Sequence, residues 1–141
     1  MESLIESTVI DMAYFGYNKY SNIKTRASDG TEFDSRREAM RWEQLLLLER
    51  GGVIKDLQRQ VKYELIPAQY ETYERYSKNG KRLKDGKRLV EKACDYVADF
   101  VYIDNETGKS VVEDTKGYRT RDYTIKRKLM LWKHGIRIKE V

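Results

Sequence analysis

Two β-like runs, Tyr96–Ile103 and Ser110–Lys116, each set an aspartate among aliphatic neighbours, and this constrains the fold more than any other feature of the sequence. Side chains alternate along a strand, so the first run places Asp99 on one face with Val97, Val101 and Ile103. After a turn at Asp104–Lys109, the second run puts Val112, Asp114 and Lys116 on one side. A hairpin pairing Ile103 with Ser110 makes Val101 face Val112 and Asp99 face Asp114. Carboxylates opposed in this way lie roughly 5 Å apart at Cβ and repel, so they persist most easily with a cation between them. The plainer alternative is a solvated strand face, since an Asp-x-Lys triplet is common by chance. Against it, Asp99 interrupts an apolar face, where an acid is costly unless paired or metal-bound.

With 141 residues, 40% of them hydrophobic, the expectation is one globular domain able to bury a core. The 28 Lys plus Arg exceed the 23 Asp plus Glu by five, compatible with a polyanionic partner but not diagnostic of one. The single cysteine, Cys94, excludes an intramolecular disulfide and any cysteine-based zinc cluster, and is expected as a small core residue in a reducing compartment. No stretch approaches the roughly 18 apolar residues of a membrane span, and the N-terminus has no secretory pattern, so a soluble, cytoplasmic protein without a membrane partner is expected.

Met1–Phe15 is weakly amphipathic and reads as a short helix, followed by an aromatic cluster of Tyr14, Phe15, Tyr17 and Tyr20 to which no chemistry is assigned. Ile23–Arg26 and Thr31–Phe33 flank Asp29-Gly30, a hairpin signal. Ser35–Arg50 is the strongest helix, with Ala39, Trp42, Leu45, Leu46 and Leu48 at helical spacing and Gly51-Gly52 as its stop. Gln60–Ile66 alternates as a half-buried strand with Gln60 at its entrance, and ends at Pro67. From Ala68 to Lys92, cations interleave with Tyr70, Tyr73 and Tyr76 around two glycine turns, Asn79-Gly80 and Asp85-Gly86. This pattern suits a nucleic-acid backbone and exposed bases, or else a solvated hairpin kept soluble by its lysines. The last helix, Arg121–Lys133, is capped by Thr120 and expected to bury Ile125, Leu129 and Trp132, leaving a basic outer face with Lys126, Arg127, Lys128 and Lys133. The lone histidine, His134, is expected to serve the helix end before Gly135, and Ile136–Val141 to form a closing strand.

Glu38 has two readings. Ser35-Arg36-Arg37-Glu38 matches a capping box, in which serine and glutamate satisfy opposite orphan amides. Alternatively, Glu38 is a third acid leaning toward the aspartate pair. The element order predicts an α/β domain with a mixed central sheet flanked by helices and a basic hairpin or loop excursion at 68–92.

Helix-borne Glu38, strand-borne Asp99, then Asp114-x-Lys116 before a basic helix and a final strand resembles the PD-(D/E)xK nuclease superfamily, whose core is restriction-endonuclease-like. The segments Phe33–Ala39, Tyr96–Phe100, Val112–Gly117 and Ile138–Val141 are similar to a phage-encoded family of small endodeoxyribonucleases, formerly a domain of unknown function and likened to Holliday-junction resolvases, over residues 14–141. The resemblance implies a Mg²⁺- or Mn²⁺-dependent hydrolase, its metal bound by Asp99, Asp114 and the Thr115 carbonyl, hard oxygen ligands that such ions prefer. It implies that Lys116 orients the attacking water and offsets phosphate charge, that Glu38 positions the metal or its water, and that Gln60 is the polar residue of the following strand. The aspartate before x-Lys departs from the more frequent glutamate; Glu113 points to the opposite face and does not replace it.

The expected substrate is DNA, branched or duplex, in phage recombination, replication or packaging inside a bacterial host cell. Arg75, Lys78, Lys81, Arg82, Arg119, Arg121, Lys126 and Arg127 are the expected phosphate contacts, favouring structure over sequence recognition. Paired incision of a junction would require a homodimer. The alternatives are a non-catalytic DNA-binding or host-protein adaptor on the same scaffold, and an RNA-directed nuclease.

Overall fold

The computed structural model describes residues 24–141. The expected helix over 1–15 and the aromatic cluster at Tyr14, Phe15, Tyr17 and Tyr20 lie outside them. Two compact units divide the chain: one holds the described residues up to Val61 with Ala98–Tyr118 and Ile138–Val141, the other Lys62–Val97 and Arg119–Arg137.

The first unit begins with β1 (Thr25–Arg26) and β2 (Glu32–Phe33), an antiparallel hairpin closed over Asp29-Gly30 as its sequence predicts. Helix α1 (Arg36–Arg50) follows, with Ser35 as N-cap and Gly51 as C-cap. It buries Ala39, Trp42 and Leu45, while Leu46 and Leu48 pack partly buried against the same core. Trp42 stacks on Phe100 at 5.7 Å between centroids and meets Phe33 at 6.0 Å, geometries that add to the area such rings bury. The Trp42 indole N–H donates to Asp29 Oδ2 at 2.8 Å, which ties the hairpin turn to the helix.

The main sheet has the order β3 (Ile54–Ile66), β6 (Cys94–Asp104), β7 (Ser110–Asp114), β8 (Lys139–Glu140). It is mixed: β6 and β7 are antiparallel, β7 and β8 parallel. Strand β3 starts well before the expected Gln60, because Leu57 and Arg59 continue the half-buried alternation N-terminally. Gln60 is therefore an exposed mid-strand residue rather than a strand entrance, and it sits at φ 52°, with Asp56 at φ 54°, left-handed backbone that bends a strand. The closing strand is shorter than the expected 136–141, and Cys94 is half-buried rather than core.

In the second unit β4 (Gln69–Tyr76) and β5 (Arg82–Glu91) form the expected basic hairpin, turning at Asn79-Gly80. Asp85-Gly86 is not a second turn but lies within β5, where Gly86 pairs with Tyr73 and is buried under its ring. Helix α2 (Arg121–His134) is capped by the Thr120 hydroxyl and by Gly135 in the left-handed conformation. Its buried residues are Tyr123 and Met130, whereas Ile125 is 57% and Trp132 80% exposed and Leu129 half-buried. Successive helical residues turn by about 100°, so Ile125 and Trp132 lie across the helix from Tyr123 and Met130. Apolar residues occupy both sides, and periodicity alone chose the wrong one. His134 Nε2 lies 2.7 Å from the Glu64 carbonyl oxygen, and Lys133 pairs with Glu64 at 3.3 Å.

Candidate functional site

The β6–β7 ladder pairs Ile103 with Ser110, Val101 with Val112 and Phe100 with Glu113, the register expected from the sequence. Paired residues share a face. Phe100, Tyr102 and Glu113 thus point to the α1 side, and Asp99 and Asp114 to the other. Just beyond the Phe100–Glu113 pair, the Thr115 amide donates to Asp99 Oδ2 at 2.7 Å. Strand β8 fixes the segment from its other edge: Val141 N–H donates to the Asp114 carbonyl at 3.0 Å, and Lys116 N–H to the Val141 carbonyl at 3.2 Å.

Asp114 is 2% exposed, and Lys116 Nζ stands 3.1 Å from its Oδ1. Asp99 is half-buried. Burial first, then repulsion from Asp114 and Glu38, pushes its carboxyl up to about 7 against the pull of the Thr115 amide. Glu38 sits in the first turn of α1. Its amide donates to Ser35 Oγ at 3.2 Å, the serine half of a capping box. Its carboxyl is held above the ordinary range by burial, with repulsion from Asp34 and Asp114 outweighing attraction to Lys116. Glu38 thus senses the aspartate pair electrostatically while it starts the helix.

Among the described residues, no three His, Cys, Asp or Glu side chains stand close enough to hold a metal ion between them. The donor set that fits a hard cation is therefore two carboxylates supplemented by backbone oxygen and water. Such hard oxygen donors are of the type that Mg²⁺ or Mn²⁺ prefers. Thr115 Oγ1 is buried without a hydrogen-bond partner among the described residues.

The first unit thus brings together Asp99, Asp114, Thr115, Lys116 and, at longer range, Glu38; no hydrogen bond or ion pair among the described residues joins Gln60 to them. The expected phosphate contacts all belong to the second unit. Arg75 is on β4, Lys78 and Lys81 are in the hairpin turn, and Arg82 opens β5, paired with Asp85 at 3.2 Å. Arg119 precedes α2, Arg121 begins it, and Lys126 and Arg127 are half-buried along it. Two of the hairpin tyrosines carry cations: Lys87 Nζ is 4.5 Å from the Tyr70 ring centre, and the Arg88 guanidinium 5.1 Å from that of Tyr73.

Behind the site lies an arrangement that the sequence does not announce. Glu113, 0% exposed, accepts from Arg41 Nε at 2.8 Å and Nη2 at 2.9 Å, and from the Tyr102 hydroxyl. Burial and the neighbouring Glu113 raise the Tyr102 phenol far above its ordinary range. Arg41 and Glu113 are 72 residues apart, and no spacing rule links them. A cleft of about 490 Å³ opens beside them, with Arg36, Arg37 and Thr115 in its wall.

Among the described residues, no helix is long and apolar enough to cross a membrane. Neither a curated protein nor a solved structure matches the chain. A family model does match, over residues 17–139, and the chain accordingly belongs to the family described as "Protein of unknown function (DUF1064)".

Proposed function

We propose that the chain is a metal-dependent endodeoxyribonuclease of the PD-(D/E)xK type, hydrolysing phosphodiester bonds in branched or duplex DNA. The observation that carries this reading is the juxtaposition of Asp99 and Asp114 on adjacent strands with Lys116 Nζ 3.1 Å from Asp114. Asp99, Asp114 and the Thr115 carbonyl would hold Mg²⁺ or Mn²⁺. When bound, such an ion stabilises charge on the attacking and leaving oxygens of an in-line displacement. Lys116, kept at the strand end by Asp114, donates to a non-bridging phosphate oxygen and neutralises charge that grows there. Glu38, whose carboxyl lies within electrostatic reach of Asp114 and Lys116, would orient the attacking water. As the water oxygen bonds to phosphorus, the bond to the leaving oxygen breaks; the water gives up a proton and the leaving oxygen gains one.

Purified protein incubated with branched, linear duplex and single-stranded DNA, and with RNA, in Mg²⁺, Mn²⁺ or EDTA tests the reading. Metal-dependent DNA cleavage lost in Asp114→Asn and Lys116→Ala, with binding retained, supports it. Binding without cleavage of any substrate sinks it, and cleavage of RNA alone reassigns the substrate. One observation favours a second reading, a non-catalytic DNA-binding adaptor: Lys116 already neutralises Asp114. The same assay separates the two.

A further inference from the structure

The cleft beside the Arg41–Glu113 pair is lined by Arg36, Arg37, Met40, Arg41, Gln44, Thr115 and Val141, all in the first unit. Its volume, about 490 Å³, is that of sites which take small ligands or one piece of a polymer. The three arginines differ in what they are free to do. Arg41 is committed to Glu113 and, through Nη1, to Gln44 Oε1 at 2.9 Å. Arg36 and Arg37 are exposed, and among the described residues no carboxylate pairs with either. Some other surface arginines have such partners: Arg26 with Glu32, Arg82 with Asp85, Arg88 with Glu71. Arg37 also has a defined position, its Nη1 3.8 Å from where a Cβ on Gly117 would sit, against the backbone just past Lys116. Two unneutralised guanidinium groups therefore flank the strand end that carries Asp114 and Lys116.

We infer that Arg36 and Arg37 bind the phosphodiester next to the one aligned with Asp114 and Lys116, which makes α1 part of a polynucleotide interface. The inference rests on the nuclease reading for the nature of the strand. A guanidinium fork matches two phosphate oxygens at once, and two forks suit a backbone that carries one negative charge per nucleotide. The apolar side chains of Met40 and Val141 in the same lining offer a surface of the kind a sugar face packs on. The contact is to phosphate, so it positions the strand without reading its sequence.

The test is equilibrium binding of a fluorescein-labelled duplex in EDTA, where no cleavage occurs, as a function of salt. Each phosphate contact contributes about 0.9 to the slope of log affinity against log salt, so Arg36→Gln/Arg37→Gln lowers that slope by about 1.8 and each single variant by about 0.9. Arg50→Gln, at the far end of α1, is expected to leave it as in the wild type. A folded double variant with wild-type affinity and slope overturns the inference, even where the wild type cleaves DNA in Mg²⁺. A wild type that never cleaves but loses the slope on substitution keeps the cleft and sinks the nuclease reading. Inorganic phosphate displacing the duplex far better than chloride of equal ionic strength would make this a free-phosphate site and overturn the assignment, as would a wild type that binds no duplex.

Discussion

Arg41 on α1 holds Glu113 on β7 through two parallel charge-assisted bonds, Nε to Oε1 at 2.8 Å and Nη2 to Oε2 at 2.9 Å. The carboxylate is fully buried, and the Tyr102 hydroxyl shares Oε2. Glu113 directly precedes Asp114, so the clamp fixes the strand on one face while the aspartates occupy the other.

Removing one partner strands the other charge in the core. Arg41→Ala is therefore expected to cost about 3–5 kcal/mol, read as a lower urea midpoint at unchanged slope. Replacing both partners with apolar residues, Arg41→Met/Glu113→Leu, should recover most of that loss, because no charge then remains to be desolvated. A double variant as unstable as Arg41→Ala would show that the clamp is not the source of the effect.

The pH dependence of the metal-free protein has a definite sign. Asp99 is pushed up from 3.8 to about 7, chiefly by burial, and Glu38 is shifted in the same direction. An acid with a raised folded pKa binds protons more tightly in the folded state, so its ionisation works against folding. Stability in EDTA should fall as pH rises from about 4 to 7 and level off above. Thermal melts of wild type and Asp99→Asn across this range check it: the variant should lose most of the slope. A wild-type melting temperature that rises steadily through the same window would refute the expectation.

Much of this was legible in the sequence, for identifiable reasons. Alternation and a turn of fixed length set the β6–β7 register, so pairing Ile103 with Ser110 was enough to put Asp99 beside Asp114. Ser35 and Gly51 mark the ends of α1 because capping is local chemistry. What was not legible depends on tertiary choice. Helix α2 has apolar residues on both sides, and which one is buried is decided by what it meets, not by its period. Gln60 falls inside β3 because a strand with one polar face gives no signal of where it starts. The Arg41–Glu113 clamp joins charges that look, in sequence, like ordinary surface residues.

The hairpin of the second unit contains a glycine packed directly under a tyrosine ring. A Cβ on Gly86 would stand 2.4 Å from Tyr73 Cζ, well inside contact distance. Backbone conformation is not the obstacle, since Gly86 has no positive φ. Gly86→Ala must push the Tyr73 ring aside and with it the Arg88 guanidinium that covers the ring. A cost of about 1–3 kcal/mol confined to the hairpin is expected. Amide exchange should quicken across Gln69–Tyr76 and Arg82–Glu91 while α1 and β7 keep their protection; uniform acceleration would contradict a local effect.

Metal binding at the aspartate pair would reverse its electrostatics. The two carboxylates stand side by side next to Lys116, and a divalent cation between them would relieve their mutual repulsion directly. Mg²⁺ or Mn²⁺ at about 100 times its dissociation constant should therefore stabilise the fold by about 2.7 kcal/mol. The gain should shrink at pH 5, where protons compete for Asp99, and vanish in Asp99→Asn/Asp114→Asn. Ca²⁺ serves as a control for oxygen ligation without the stricter octahedral demand of Mg²⁺. If none of the three cations raises the melting temperature of the wild type at pH 8, the aspartate pair is not a metal site.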